Sequence, residues 1–142
     1  MSDVIAELKQ ELDSPILRAA TLPTVEEVNS ASEAIGVPFP ADYRRFLLEL
    51  GGAMVGPYPI YGLRPVDVMG ENSWSVIAET IRYRSEGWPG CENWVVISSD
   101  HAGNPVGLDA DGKVWINDHD FGGVDRLAND FADYITRICL GK

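Results

Sequence analysis

The residues most able to do chemistry lie between Asp100 and Asp120, where Asp100-His101 and His119-Asp120 set two imidazoles among several carboxylates. Such a mixture suits zinc or manganese. The spacing does not: the histidines stand 18 residues apart (119 minus 101), with no HExxH or HxH pattern to put them on one face. Each also falls in a turn-like stretch, where a polar residue needs no ligand to explain it. No metal site is expected. Asp109-Ala110-Asp111-Gly112 has the look of a calcium loop, but an EF-hand places its glycine sixth and a glutamate twelfth. Here the glycine comes fourth and the twelfth residue is Asp120. The Asp-Gly pair reads instead as the φ > 0 corner of a hairpin.

Nucleophilic chemistry has little more support. Ser98-Ser99-Asp100-His101 carries three reactive types in a row, but adjacent residues seldom assemble a triad. There is no GxSxG elbow, no GxGxxG fingerprint and no Walker lysine. Cys91 and Cys139 are far apart with no CxxC spacing, which reads as two reduced thiols. No catalytic residue and no cofactor are expected. Trp94 and Trp115 alternate with apolar strand residues, so core packing is their expected use. Arg44-Arg45 and Arg82/Arg84 fall opposite the apolar stripes and read as solvated.

The elements around these residues change character along the chain. Val4, Ile5, Leu8 and Leu12 mark a first helical face, stopped at Ser14-Pro15. Thr24-Val25-Glu26-Glu27 is a capping box opening a second helix with Val25, Val28 and Ile35 on one face, ended by Gly36. A third helix from about Ala41 carries Tyr43, Phe46, Leu47 and Leu50, and Gly51-Gly52 ends it. Strands are expected at Ile60–Leu63 and Trp94–Ile97, and a hairpin joins Val106–Leu108 to Lys113–Ile116. Another helix is expected from Asn72 to about Arg84, with Trp74, Ile77, Ala78 and Ile81 inward. A last helix is expected from about Val124 to Cys139. The reading is one α+β domain over residues 1–142: N-terminal helices, a mainly antiparallel sheet with helices packed against it, and a closing C-terminal helix.

The chain has 142 residues, with 22 acidic against 11 Lys plus Arg and a net charge of −11. Duplex binding rests on Lys/Arg neutralising phosphates, so direct nucleic-acid binding is not expected. An acidic chain suits a basic protein surface, or plain solubility. The N-terminus lacks the pattern of a secretory signal, and no stretch approaches the ~20 apolar residues of a membrane helix, so a cytoplasmic protein without membrane contact is expected.

The run from Ile35 to Gly52 carries a resemblance. Gly36, Phe39-Pro40, Asp42-Tyr43, Phe46-Leu47 and Gly51-Gly52 resemble, in order, the signature of the SUKH superfamily, the cell-wall-assembly-regulator-like proteins. Gly51 stands where Asn is more usual. Further on, Gly107-Leu108-Asp109, Gly112-Lys113-Val114-Trp115 and the helix Leu127-Ala128-Asn129-Asp130-Phe131-Ala132-Asp133-Tyr134-Ile135 are similar to later parts of the pattern. The resemblance is strongest over residues 24–138. It implies a SUKH-like fold, no catalytic residues, and a protein-binding role: immunity against toxins among bacterial members, scaffolding of wall synthesis among fungal ones.

Joined to the charge, the resemblance leads to an immunity protein that neutralises a toxin with a basic surface, such as a nuclease. Residues 100–133 hold eight Asp against Lys113 and Arg126, a net −6 within the total of −11. The candidate partner-binding residues are Asp109, Asp111, Asp118, Asp120, Phe121 and Asp125. Taken site by site, hairpin, loop and helix-cap duties that keep the domain soluble are the favoured account of these carboxylates. The alternative function is a scaffold or regulatory module of cell-wall-regulator type with an endogenous protein partner.

Overall fold

The structure, a computed structural model, describes residues 3–71, 73–119 and 122–142. It opens with three helices, each started by a local device. Helix α1 (Val4–Glu11) is capped by Asp3, whose carboxylate accepts from the amides of Ile5 at 3.1 Å and Ala6 at 3.2 Å. Helix α2 (Val25–Ile35) has the expected reciprocal box: the Glu27 amide donates to Thr24 Oγ1 at 3.2 Å, and the Thr24 amide to Glu27 Oε1 at 3.1 Å. Val25, expected inward, is 49% exposed, because the box leaves the first helical residue outside the buried Val28–Ala31–Ile35 stripe. Helix α3 (Ala41–Leu50) buries Tyr43, Phe46, Leu47 and Leu50 as expected.

A six-stranded antiparallel sheet follows in simple meander order: β1 (Ala53–Val55), β2 (Tyr58–Ile60), β3 (Val95–Ser99), β4 (Pro105–Leu108), β5 (Val114–Asp118) and β6 (Gly123–Ala128). The strand expected at Ile60–Leu63 thus already ends at Ile60, and β1 has no counterpart among the strands expected from the sequence. Its three residues are too few to show a period. Helix α4 (Val76–Ser85) starts at the Ser75 cap rather than at 72, and Asn72 lies outside the described residues. Its buried face is Val76, Glu79, Thr80 and Tyr83, not the expected apolar one; Ile81 is 54% exposed. Polar groups turn inward here because they have partners: Thr80 Oγ1 accepts from the Val96 amide at 2.9 Å, and Glu79 pairs with Arg82 at 2.7 Å.

The largest correction lies at the end of the chain. The expected helix from Val124 is split: Gly123–Ala128 is strand β6, and helix α5 begins only at Phe131, as a turn Phe131–Asp133 continuing into a π-helical segment Tyr134–Cys139. Asp130 marks the true start, accepting from the Asp133 amide at 2.7 Å. Val124 and Leu127 have helical spacing to Phe131, but pairing with β5 decides their conformation. The core is one cluster in which the rings of Tyr43, Phe46 and Phe131 meet at 5.2–6.0 Å between centroids.

Candidate protein-binding surface

Each carboxylate of the acidic segment has a position fixed by the β4–β5–β6 meander. Asp109 closes the β4–β5 hairpin from within: Oδ1 accepts from the amides of Asp111 at 2.9 Å and Lys113 at 3.0 Å, and Oδ2 from Trp115 Nε1 at 2.8 Å. Gly112, at φ +82°, supplies the expected left-handed corner. Asp109 is therefore a turn residue, and what it presents is Asp111, exposed at the tip. Asp118 ends β5 and Asp125 lies within β6. Asp125 is the register partner of Ile116, so strand alternation puts it on the same side of the sheet as Asp118, at the diagonal separation of roughly 7–8 Å. Asp118 and Asp125 are thus brought together. Asp109 and Asp111 sit at the other end of β5, roughly 15 Å away at about 3.3 Å per residue. Asp120 and Phe121 lie outside the described residues.

The other acids of this segment serve the fold. Asp100 ties its own loop by accepting from the Asn104 amide at 2.9 Å, Asp130 caps α5, and Asp133 pairs with Arg137 at 2.8 Å. The Arg137 guanidinium and the Asn129 amide hold the Asp133 carboxyl below its ordinary range. In the rest of the molecule the pattern is similar: Glu49 meets Lys9 and Arg45, Glu27 meets Arg64, and Glu7 and Glu11 meet Lys142. Asp111 and Asp125 have no ion-pair partner among the described residues.

The opposite side of β5 and β6 is aromatic. Arg126 stands over the Trp115 ring at 5.7 Å, and the Trp88 and His119 rings meet edge-on at 5.2 Å. Asn117 Nδ2 donates to the Pro89 carbonyl at 2.8 Å, tying this side to the loop after α4. An open cleft of about 380 Å³ runs between Trp88, Pro89, Asn117 and His119, beside the exposed Val124. A second concavity, about 510 Å³, lies between α2 and α4 and is lined by Ala31, Leu63, Trp74 and Ile77 with Glu27 and Arg64 at its rim. Trp88, Val124 and Arg126 were not legible as surface residues: an isolated tryptophan reads as core, and the span holding Val124 and Arg126 reads as helix.

The reactive residue types are each engaged separately. Ser98 donates to the Pro59 carbonyl at 2.6 Å, Ser99 meets the Tyr61 hydroxyl at 2.8 Å, and the His101 ring stacks on Tyr58 at 5.7 Å. His119 Nδ1 lies 2.6 Å from Asn104 Oδ1. Burial pushes the thiols of Cys91 and Cys139 up to about 12, so neither is a thiolate at neutral pH. Among the described residues no group of three or more His, Cys, Asp or Glu is placed to hold a metal ion. No helix among them is long and apolar enough to cross a membrane.

What the molecule offers a partner is surface: carboxylates on one side of the β5–β6 ladder, rings on the other. The SUKH_5 family model, described as SMI1-KNR4 cell-wall, matches residues 1–140. The chain belongs to the SUKH superfamily. No curated protein matches the sequence. Membership extends the resemblance from residues 24–138 to include α1, and it supports a protein-binding role of immunity or regulator type for this SUKH domain. The six-stranded sheet with its C-terminal helix agrees with the SUKH-like α+β fold expected from the sequence.

Proposed function

We propose that this SUKH domain is a non-enzymatic cytoplasmic immunity protein that binds and neutralises a toxin with a basic surface, such as a nuclease. The observation that carries the reading is the division of labour among the carboxylates. Asp100, Asp109, Asp130 and Asp133 are spent on turns, caps and pairs, whereas Asp111 and Asp125 have no ion-pair partner among the described residues. A phosphate-binding cleft is lined with Lys and Arg, and carboxylates with no internal cation are the ones free to steer toward it. On the other face of the same two strands, Trp88 and Trp115 supply large rings of the kind that anchor tight interfaces. Asp120 and Phe121, outside the described residues, stay in the proposal on sequence alone, and Asp109 belongs to it by shaping the tip that carries Asp111.

Co-expression with a toxin encoded beside this gene tests the reading. Restored growth and a recovered one-to-one complex support it. Continued killing together with no complex overturns it, and capture of an endogenous wall-synthesis protein instead would favour the scaffold role.

A further inference from the structure

The two edges of the sheet differ. Along β1 the Met54 amide donates to the Leu17 carbonyl at 2.8 Å and the Ala19 amide to the Gly52 carbonyl at 3.2 Å, so residues 17–19 cover that edge. Strand β6 forms the other edge, and nothing described lies along its central residues.

Ladder alternation tells which backbone groups point outward. The Asp109 amide donates to the Lys113 carbonyl at 3.0 Å, which makes that pair hydrogen-bonded. Two residues further on, the pair Gly107–Trp115 is hydrogen-bonded in turn and points the Trp115 backbone at β4. Ile116 then points at β6, and its partner Asp125 points back. Val124 and Arg126 are left with amide and carbonyl aimed away from the sheet. No hydrogen bond from a described residue reaches these four groups. The opening ends at Leu127, whose carbonyl accepts from Arg137 at 3.0 Å.

The side chains add chemistry to the opening. Val124 (41% exposed) and Arg126 lie on the Trp115 side, while Asp125 lies on the other with Asp118. Pairing with a second copy would set Asp125 near Asp125 and join two chains of −11 each, which like-charge repulsion disfavours. A basic strand meets no such cost. We propose that the β6 edge takes up an extended segment of a protein partner as a seventh strand, with Lys or Arg alternating with apolar residues. The basic side chains fall on the Asp118–Asp125 side and the apolar ones against Val124 and Trp115. The proposal rests on the reading that this domain binds a basic protein, and it specifies the mode.

The test uses the full chain and the synthetic peptide Lys-Val-Lys-Val-Lys-Val-Lys. Paired antiparallel, as every neighbouring pair of this sheet is, the peptide turns the amides of the Val residues opposite Val124 and Arg126 toward β6. Methylating the Val amides should therefore lower affinity at least about tenfold, whereas methylating the Lys amides should leave it unchanged. The Val124 and Arg126 amides should exchange about tenfold more slowly with the unmodified peptide bound. Val124→Pro removes one outward N–H at an edge where proline is tolerated, and Asp125→Lys reverses the charge; each should weaken binding by a similar factor. Equal binding of all three peptides, absence of exchange slowing, no binding at millimolar peptide, or a β6-paired homodimer would each overturn the proposal. Those results leave toxin neutralisation standing if Val124→Pro still rescues growth. Failed rescue with intact peptide pairing overturns the immunity reading alone.

Discussion

Gly107 lies directly against Trp94: a Cβ built on Gly107 would fall 2.6 Å from Trp94 Cβ and 2.8 Å from ring atom Cε3. Both residues are buried, on the adjoining strand β4 and at the entry to β3, so the indole fills the space a side chain would take. Gly107→Ala should destabilise the fold by about 1–3 kcal/mol through overpacking. Urea denaturation checks this by a lower midpoint at unchanged slope, and Trp94→Leu in the same chain should recover part of the loss.

Arg84 donates to the carbonyls of Ile35 at 2.7 Å, Cys91 at 2.9 Å and Trp94 at 3.0 Å, joining the end of α2 to the segment that leads into β3. Arg84→Met keeps the aliphatic stem and strands these acceptors, for an expected loss of about 1–3 kcal/mol. Arg84→Lys should recover only part, since one ammonium cannot reproduce the planar fork. Arg44→Met, whose described bond is to exposed Asn29, should stay within about 0.5 kcal/mol. Thermal and urea unfolding of the three variants decide between these outcomes.

Asp109 and Asp111 look alike in sequence and should behave differently. Asp109→Ala leaves the Asp111 and Lys113 amides and the Trp115 indole N–H without their acceptor, and should cost about 1–3 kcal/mol with altered tryptophan emission. Asp111→Asn at the exposed tip should stay within about 0.5 kcal/mol.

The contrast between Arg82/Arg84 and their expected role shows where sequence reasoning stops. Capping and period are local, so α1, α2, α3 and the β4–β5 hairpin were legible from Thr24–Glu27, the Tyr43–Leu50 stripe and the Asp-Gly corner. What Arg84 and Thr80 reach lies on other elements, and no spacing within α4 reports it. An apolar stripe through Ile77 and Ile81 therefore outvoted the polar face that is in fact buried. The strand at Val124 is hidden for a similar reason, because Val124, Leu127 and Phe131 satisfy helical spacing while the deciding partner is β5. The candidate surface was half legible: acidic clustering was visible, but which carboxylates are consumed by turns was not.

Alkaline pH should weaken the fold through its buried thiols. Cys91 and Cys139 are pushed up to about 12 by burial, whereas an unfolded thiol ionises near ~8.5. The folded chain keeps protons that the unfolded chain releases, so this contribution is whole below about pH 8.5 and falls as pH rises toward 12. Tyr43 and Tyr134, also raised by burial, act in the same sense. The urea midpoint should drop between pH 8 and 10.5, and the drop should be shallower in Cys91→Ala/Cys139→Ala.

Charge steering makes a kinetic prediction about a toxin complex. Asp111→Asn, Asp118→Asn and Asp125→Asn together should slow association with a basic toxin about tenfold at low salt while changing dissociation little. Raising ionic strength should erase most of the difference, because these carboxylates act at separations comparable to the Debye length. The control removes the same charge elsewhere, with Glu26→Gln, Glu33→Gln and Glu71→Gln at exposed positions outside the β5–β6 region. If net charge alone matters, both triple variants slow equally and the local reading fails. If the β5–β6 carboxylates steer, the control associates nearly as fast as the native chain and only the aspartate variant loses its salt dependence.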